Sequence, residues 1–308
     1  AISLVPNFLV FFFGLLISRG ATVIIDSSIH AYVGDRVPYE QRGRAAAIVE
    51  LGWSLAFVIG IPLVGWIMAR EGWSSAFLWM GLAGLATGGL TIFFVPEIPP
   101  ASSSMQQLNT GIKEIFRLIP LMGLLLAMLI VIANQVVSIV FGVWLEQAYN
   151  LQLEELGAAS SIIGIAGIAG VFTAIGLTDR LGKRRSLFIG LIINSLSCLV
   201  LPLFSGHLWS TLAVLFVFYL TFEFNLTSLL PLMSNLSTQA RGAFMAATLA
   251  MFSLGDSIGA LIGPLLFSGG MVRNALAAIV FNFLGLFILQ MFVKPVELSQ
   301  EDSSLLKV

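Results

Sequence analysis

Charge is scarce in this sequence. Lys, Arg, Asp and Glu make up 10% of its 308 residues and 58% are hydrophobic, where an average soluble domain is roughly 25% charged. A soluble fold of that composition could not cover its own surface with polar groups, so the expected solvent is lipid. The net charge of −1 provides no basic field for a nucleic-acid partner. Cysteine and histidine are nearly missing. Cys198 stands alone in an apolar run, which excludes an intrachain disulfide, and His30 and His207 are the only histidines, so no Cys/His metal cluster is spelled out. A phosphate-binding Gly-rich loop ending in Lys and Ser or Thr is absent, so no direct use of ATP is indicated. The chain enters an apolar run at once, with no signal-peptide pattern ahead of it. No cofactor is called for.

What the sequence has is long apolar runs. Nine of them, near 6–33, 45–69, 73–96, 118–145, 157–178, 186–205, 209–233, 243–268 and 274–293, approach the length needed to cross a bilayer. Backbone polar groups must be satisfied inside lipid, so all nine are expected to be helices in an all-α membrane bundle. One link is long. Residues 97–119, with a Pro/Ser-rich start and a short amphipathic end, read as a linker between a bundle in 1–96 and a second in 120–308.

Basic residues sort the loops. Arg36, Arg42, Arg44, Lys113, Arg117, Arg180, Lys183, Arg184, Arg185, Arg241, Lys294 and Lys307 fall on one side, and Arg70 and Arg273 on the other. The rich side is expected to be cytoplasmic, which places the linker and the C-terminus there, in a multi-pass protein of the cytoplasmic (inner) membrane. The alternation keeps its phase across all nine segments.

The chain also repeats itself. Gln41-Arg42-Gly43 aligns with Ala240-Arg241-Gly242, and Gly60 with Gly259, at one constant offset. Each copy is a charged turn followed by a Gly-rich apolar helix with an acid inside it. Such repeats in a membrane chain point to two related parts with a site between them.

Charged and titratable residues inside apolar helices are expensive and mark pathways or paired structural sites. Here they are Arg19, Asp26, His30, Glu50, Glu223 and Asp256. Arg19, Asp26 and His30 fall on one narrow helical stripe. Arg19 and Asp26 are about 10 Å apart along the axis, too far to pair directly, whereas Asp26 and His30 are one turn apart and can hydrogen-bond. A carboxylate beside an imidazole in a low-dielectric cavity can hold a proton near neutral pH. The stripe serves either a transport path or packing against further helices. Glu50 is either a proton or cation site or the partner of a loop arginine, Arg42 or Arg180. Glu223 lies eighteen residues before Arg241, and Asp26 sixteen before Arg42, so the two acids sit at nearly equal depth in the two copies. Glu223 and Asp256 line a shared cavity or make helix–helix polar contacts.

Three matches are set aside. Gly255-Asp256-Ser257-Ile258-Gly259 has the G-x-S-x-G pattern but lies within an expected membrane helix, not on the strand-to-helix turn that exposes a nucleophile. Asn225-Leu226-Thr227 and Asn235-Leu236-Ser237 have the form of glycosylation sites but lie within the seventh segment or on its cytoplasmic side.

The turn LTDRLGKRRS, with Asp179, Arg180, Gly182, Lys183, Arg184 and Arg185, resembles the cytoplasmic-loop signature G-x-x-x-D-R-x-G-R-R of major facilitator superfamily transporters. Gly176 stands three residues before Asp179 instead of four, and Lys183 replaces the first Arg of the basic pair. The turns at Arg42–Ala45 and Arg241–Phe244, the dividing linker, and GWSSAFLWMG at Gly72–Gly81 are similar to the same family. The stretch Ile29–Trp66 further resembles bacterial efflux-type permeases. The resemblance implies twelve helices in two six-helix halves, of which this chain supplies helices 4 to 12, with helices 1 to 3 as missing partners. It also implies that Asp179 sits near Arg42 or Arg44, forming with Arg180, Gly182 and Arg241 a cytoplasmic gate. In the bland reading Asp179 merely orients Arg180 and the basic run.

The expected function is secondary active transport of a small molecule by alternating access, as proton-coupled export, with no enzymatic step. The alternatives are an uptake permease of the same fold and a non-transporting receptor or scaffold. Gly255, Gly259 and Gly263 recur every four residues, as in helices that pack backbone to backbone. Gly259→Leu is therefore expected to lose most of its folded yield, read as the monodisperse fraction after extraction in detergent. An unchanged fraction would mean that this face is open to lipid.

Overall fold

The computed structural model describes residues 7–36, 48–49, 52–94, 116–204, 206–236 and 241–293, and these are helical apart from short turns. All nine expected segments are helical over their described parts. They are α1 Phe8–Arg36, α2 Gly52–Glu71, α3 Trp73–Phe94, the broken pair α4 Leu118–Ser138 and α5 Phe141–Tyr149, α6 Leu153–Leu181, α7 Lys183–Val200, α8 Leu208–Leu236, α9 Arg241–Phe267 and α10 Met271–Met291. No strand occurs among the described residues. Seven of the segments are long and apolar enough to cross a membrane. α1 is apolar over Phe8–Thr22, a shorter stretch, and α7 opens on three basic residues.

Two one-residue turns, at Gly72 and Gly182, and a three-residue turn ending at Gly270 fold consecutive helices back. Gly72, Gly182 and Gly270 have φ of 87°, 84° and 87°, a region where a Cβ is unwelcome. Gly72 and Gly270 each open the last helix of a repeat, so the two copies share a turn as well as a sequence.

Residues 1–101 with 145–168 form one compact unit, and 102–144 with 169–308 a second. In the first unit α3 buries only Ala76. The second has a continuous core in which Leu126, Ala127 and Ile130 of α4 meet Leu187 and Leu191 of α7, Leu229 and Met233 of α8, Phe244 of α9 and Leu289 of α10. The glycine stripe of α9 lies on α4, as its spacing suggested. A Cβ built at Gly255 would lie 2.8 Å from the Met128 carbonyl, and one at Gly259 would lie 2.6 Å from Cβ of Gln135.

Side chains complete bonds that the helices leave open. Between α4 and α5 the Val140 N–H turns to the Val137 carbonyl, which releases the carbonyl of Val136. The buried Asn274 amide donates one N–H to Val136 at 2.7 Å and one to the Gly263 carbonyl at 2.8 Å. At the end of α10, where carbonyls lack intrahelical partners, the Arg184 guanidinium donates to the Gln290 carbonyl at 3.1 Å and to Gln290 Oε1 at 3.0 Å.

Deeper in the second unit, Asn194 of α7 donates to the Phe218 carbonyl and to Thr221 Oγ1, while Asn282 of α10 donates to Asn194 Oδ1 at 2.8 Å. One buried amide thus ties three helices. Asn194→Ala leaves the Asn282 donor unpaired, so a loss of about 1–3 kcal/mol is expected. The double variant Asn194→Ala/Asn282→Ala should lose less than the sum of the singles, measured by denaturation in lipid–detergent mixtures.

Candidate functional site

The expected site residues fare differently. Arg19 is exposed on α1. Asp26 and His30 fall within α1 on the same stripe, and their side chains lie outside the described residues. So do Glu50, Arg42 and Arg44, together with the side chains of Asp179 and Arg241. The gate contact of Asp179 with Arg42 or Arg44 therefore lies outside the described residues. Arg180 is exposed at the end of α6, and Gly182 forms the turn that follows.

Glu223 and Asp256 are described. Each lies near the middle of its helix, α8 or α9. Each is partly buried, and neither is without a partner. Glu223 is hemmed in by the neighbouring helix. A Cβ built at Gly170 of α6 would lie 2.8 Å from Cβ of Glu223 and 3.2 Å from the Phe224 nitrogen. The absence of a side chain at Gly170 is what lets α6 and α8 close on this acid.

One turn before Glu223, and so on the same face of α8, is Tyr219. Its ring packs edge-on against Phe141 at 6.3 Å and Phe218 at 5.1 Å. Its hydroxyl is buried and faces Ser138 at the bend between α4 and α5, yet neither hydroxyl makes a well-formed hydrogen bond. One turn earlier on α4, Asn134 Oδ1 is also buried without a donor. A buried polar atom without a partner costs about 1–3 kcal/mol. Ser138 of α4 and Tyr219 of α8 thus face each other with spare hydrogen-bonding capacity, with Asn134 one turn from the first and Glu223 one turn from the second, a polar strip inside an apolar bundle.

Reading only the charged residues missed the first three. The signal was present in Asn134-Gln135 and Ser138, set within LIVIANQVVSIVF. Ser186, Asn225 and Asn274 also bury a polar atom without a partner, so what sets these apart is that Ser138 and Tyr219 face each other, one turn from Asn134 and Glu223.

The family model described as Major Facilitator Superfamily matches residues 1–176 and residues 123–305. The chain is 28% identical over 304 residues to the uncharacterised MFS-type transporter YwfA of Bacillus subtilis (strain 168), a match covering 94% of this chain and 71% of that protein. Multidrug resistance protein 2 of the same organism is 22% identical over 267 residues, covering 84% of this chain and 66% of the relative. Among solved structures, a bacterial homologue of the human lysosomal transporter Spinster, in an inward-facing and unoccupied conformation, matches with a TM-score of 0.64 at 13% identity. That match covers 88% of this chain and 76% of the other. At that identity the likeness speaks for the fold.

The contrast between two glycines of α6 is testable. Gly170→Ala should destabilise the protein, because its Cβ meets α8. Gly176→Ala, with nothing within 4 Å, should be neutral or stabilising by up to about 1 kcal/mol from helix propensity. Thermal denaturation of the two variants reads the difference.

The all-α multi-pass fold, the family model spanning nearly the whole chain and the transporter relatives agree: the chain belongs to the major facilitator superfamily, a family of membrane transporters and not of enzymes.

Proposed function

We propose that the protein is a secondary active transporter that exports a small molecule across the cytoplasmic membrane by alternating access, coupled to protons. The observation that carries this reading is the polar strip Asn134–Ser138–Tyr219 beside the partly buried Glu223. Polar groups held at such depth are retained in membrane proteins chiefly along substrate and proton pathways. The export direction draws support from the similarity to a multidrug resistance protein, and proton coupling from an acid in each repeat at matching depth, Asp26 and Glu223. Arg19, His30, Glu50 and Asp256 belong to the same path in this reading.

The bundle of 1–96, the linker 97–119 and the bundle of 120–308 are the moving parts, with linker and C-terminus in the cytoplasm, as the basic loops suggest. In this reading, which the resemblance implies, Asp179 meets the start of the expected segment 45–69 at the cytoplasmic end and gains from its helix dipole and from a charge-assisted bond to Arg42 or Arg44. Arg180, Gly182 and Arg241 frame that contact. A gate of this kind works with a bias of a few kcal/mol between states.

In vesicles containing the full chain, an imposed pH gradient should drive efflux of a fluorescent cationic dye. Asp26→Asn or Glu223→Gln should abolish that flux while leaving folded yield unchanged. Flux at the unsubstituted level in both variants would remove these acids from the path. Absence of any gradient-driven flux from the unsubstituted protein would count against export of that chemical class.

A further inference from the structure

The helix α2 is not a uniform α-helix. Residues Ala56–Gly60 form a π turn, closed by the Ile61 N–H on the Ala56 carbonyl. The next residue is Pro62. A proline inside a helix has no N–H to give and its ring crowds the carbonyl four residues back, here that of Val58. Widening the turn by one residue relieves the crowding, and such single π turns inside α-helices are frequent at functional sites. The Val58 carbonyl then accepts a bond from outside its helix, from the hydroxyl of Ser161 on α6 at 3.3 Å.

Along α6, Gly157, Ser161 and Gly164 share one face. Along α2, Ser54, Val58, Pro62 and Gly65 share the facing one. A Cβ built at Gly65 would lie 3.0 Å from the Leu153 carbonyl and 3.4 Å from Cα of Gly157. One at Gly157 would lie 3.2 Å from Cα of Pro62, and one at Gly164 would run into the Ser54 carbonyl and Val58. Backbone lies on backbone at Gly65 and Gly157, and the Val58 side chain seats on Gly164. On this face the Ser161 hydroxyl supplies a polar tie between the two helices.

We propose that Pro62, the Val58 carbonyl and Ser161 form a reversible latch, and that making and breaking it accompanies the conformational cycle. With the latch closed, Ser161 supplies the donor that Pro62 withholds from Val58 and ties α2 to α6. With it open, the Val58 carbonyl has lost its donor from α6, and α2 slides on the glycine face of α6. Ser161 is then a positioning residue that sets the balance of two states without touching substrate. The cycle rests on the transport reading; the latch itself is tested without any substrate.

The full chain in lipid vesicles, with the single cysteine removed as Cys198→Ser, accepts spin labels at Glu71→Cys and Gln152→Cys, both exposed positions. Two label–label distances are expected. Ser161→Ala should shift their ratio toward the longer one by about threefold, the size of an average interhelical hydrogen bond in a membrane protein. Pro62→Ala restores the missing N–H and gives the Val58 carbonyl a donor within its own helix. In that background Ser161→Ala should have no further effect. A distance distribution unchanged by Ser161→Ala overturns the latch, as does an effect of Ser161→Ala that persists undiminished in Pro62→Ala. A single distance common to all four proteins also overturns it. Loss of dye flux with the latch behaviour intact would strike the transport reading alone.

Discussion

A backbone carbonyl in an apolar span has no water to turn to, and that constraint shapes this structure wherever a helix departs from regularity. Three departures show three solutions. Pro62 withholds a donor from Val58, and Ser161 supplies one from a neighbouring helix. The bend after Ser138 frees the Val136 carbonyl, and Asn274 reaches it from the start of α10. The end of α10 is met by Arg184. In each case the polar side chain also ties two helices, so satisfying the backbone and fixing the packing are one event.

Glycine sets how closely the helices approach. It is used on three faces: α9 against α4, α6 against α2, and α6 against α8 at Gly170. In lipid the solvent is as apolar as the side chains, so association relies on close van der Waals contact and on hydrogen bonds between helices. The α9–α4 face adds its glycines to a large apolar core. The α2–α6 face has its glycines, the Val58 side chain seated on Gly164 and one long hydrogen bond. The first suits a permanent seam and the second a seam that opens.

Polar groups inside the second unit divide in the same way. Asn194, Asn282 and Asn274 have committed their donors to the fold. Asn134 Oδ1 and the hydroxyls of Ser138 and Tyr219 have no partner, as Asn274 Oδ1 has none, and Tyr219 shares its face of α8 with Glu223. Committed groups specify one arrangement of helices. Uncommitted ones keep capacity for something that comes and goes, as the proposed path requires.

The family was legible in the sequence through the resemblance of LTDRLGKRRS and the arginine turns to a known signature, and the all-helical fold because apolar length is a local quantity. The α9 glycine stripe was legible for the same reason, since a spacing of four residues is a helix face whatever the helix packs against. The three turns at Gly72, Gly182 and Gly270 follow from what only glycine tolerates. The π turn was not readable, because Pro62 says that Val58 will want a donor but not which helix provides it. Nor could Tyr219 be told from any other aromatic, or Asn134 from Asn194. These residue types differ in role only through what stands opposite them, and that is decided when α4, α7, α8 and α10 pack, by contacts between residues far apart in the chain.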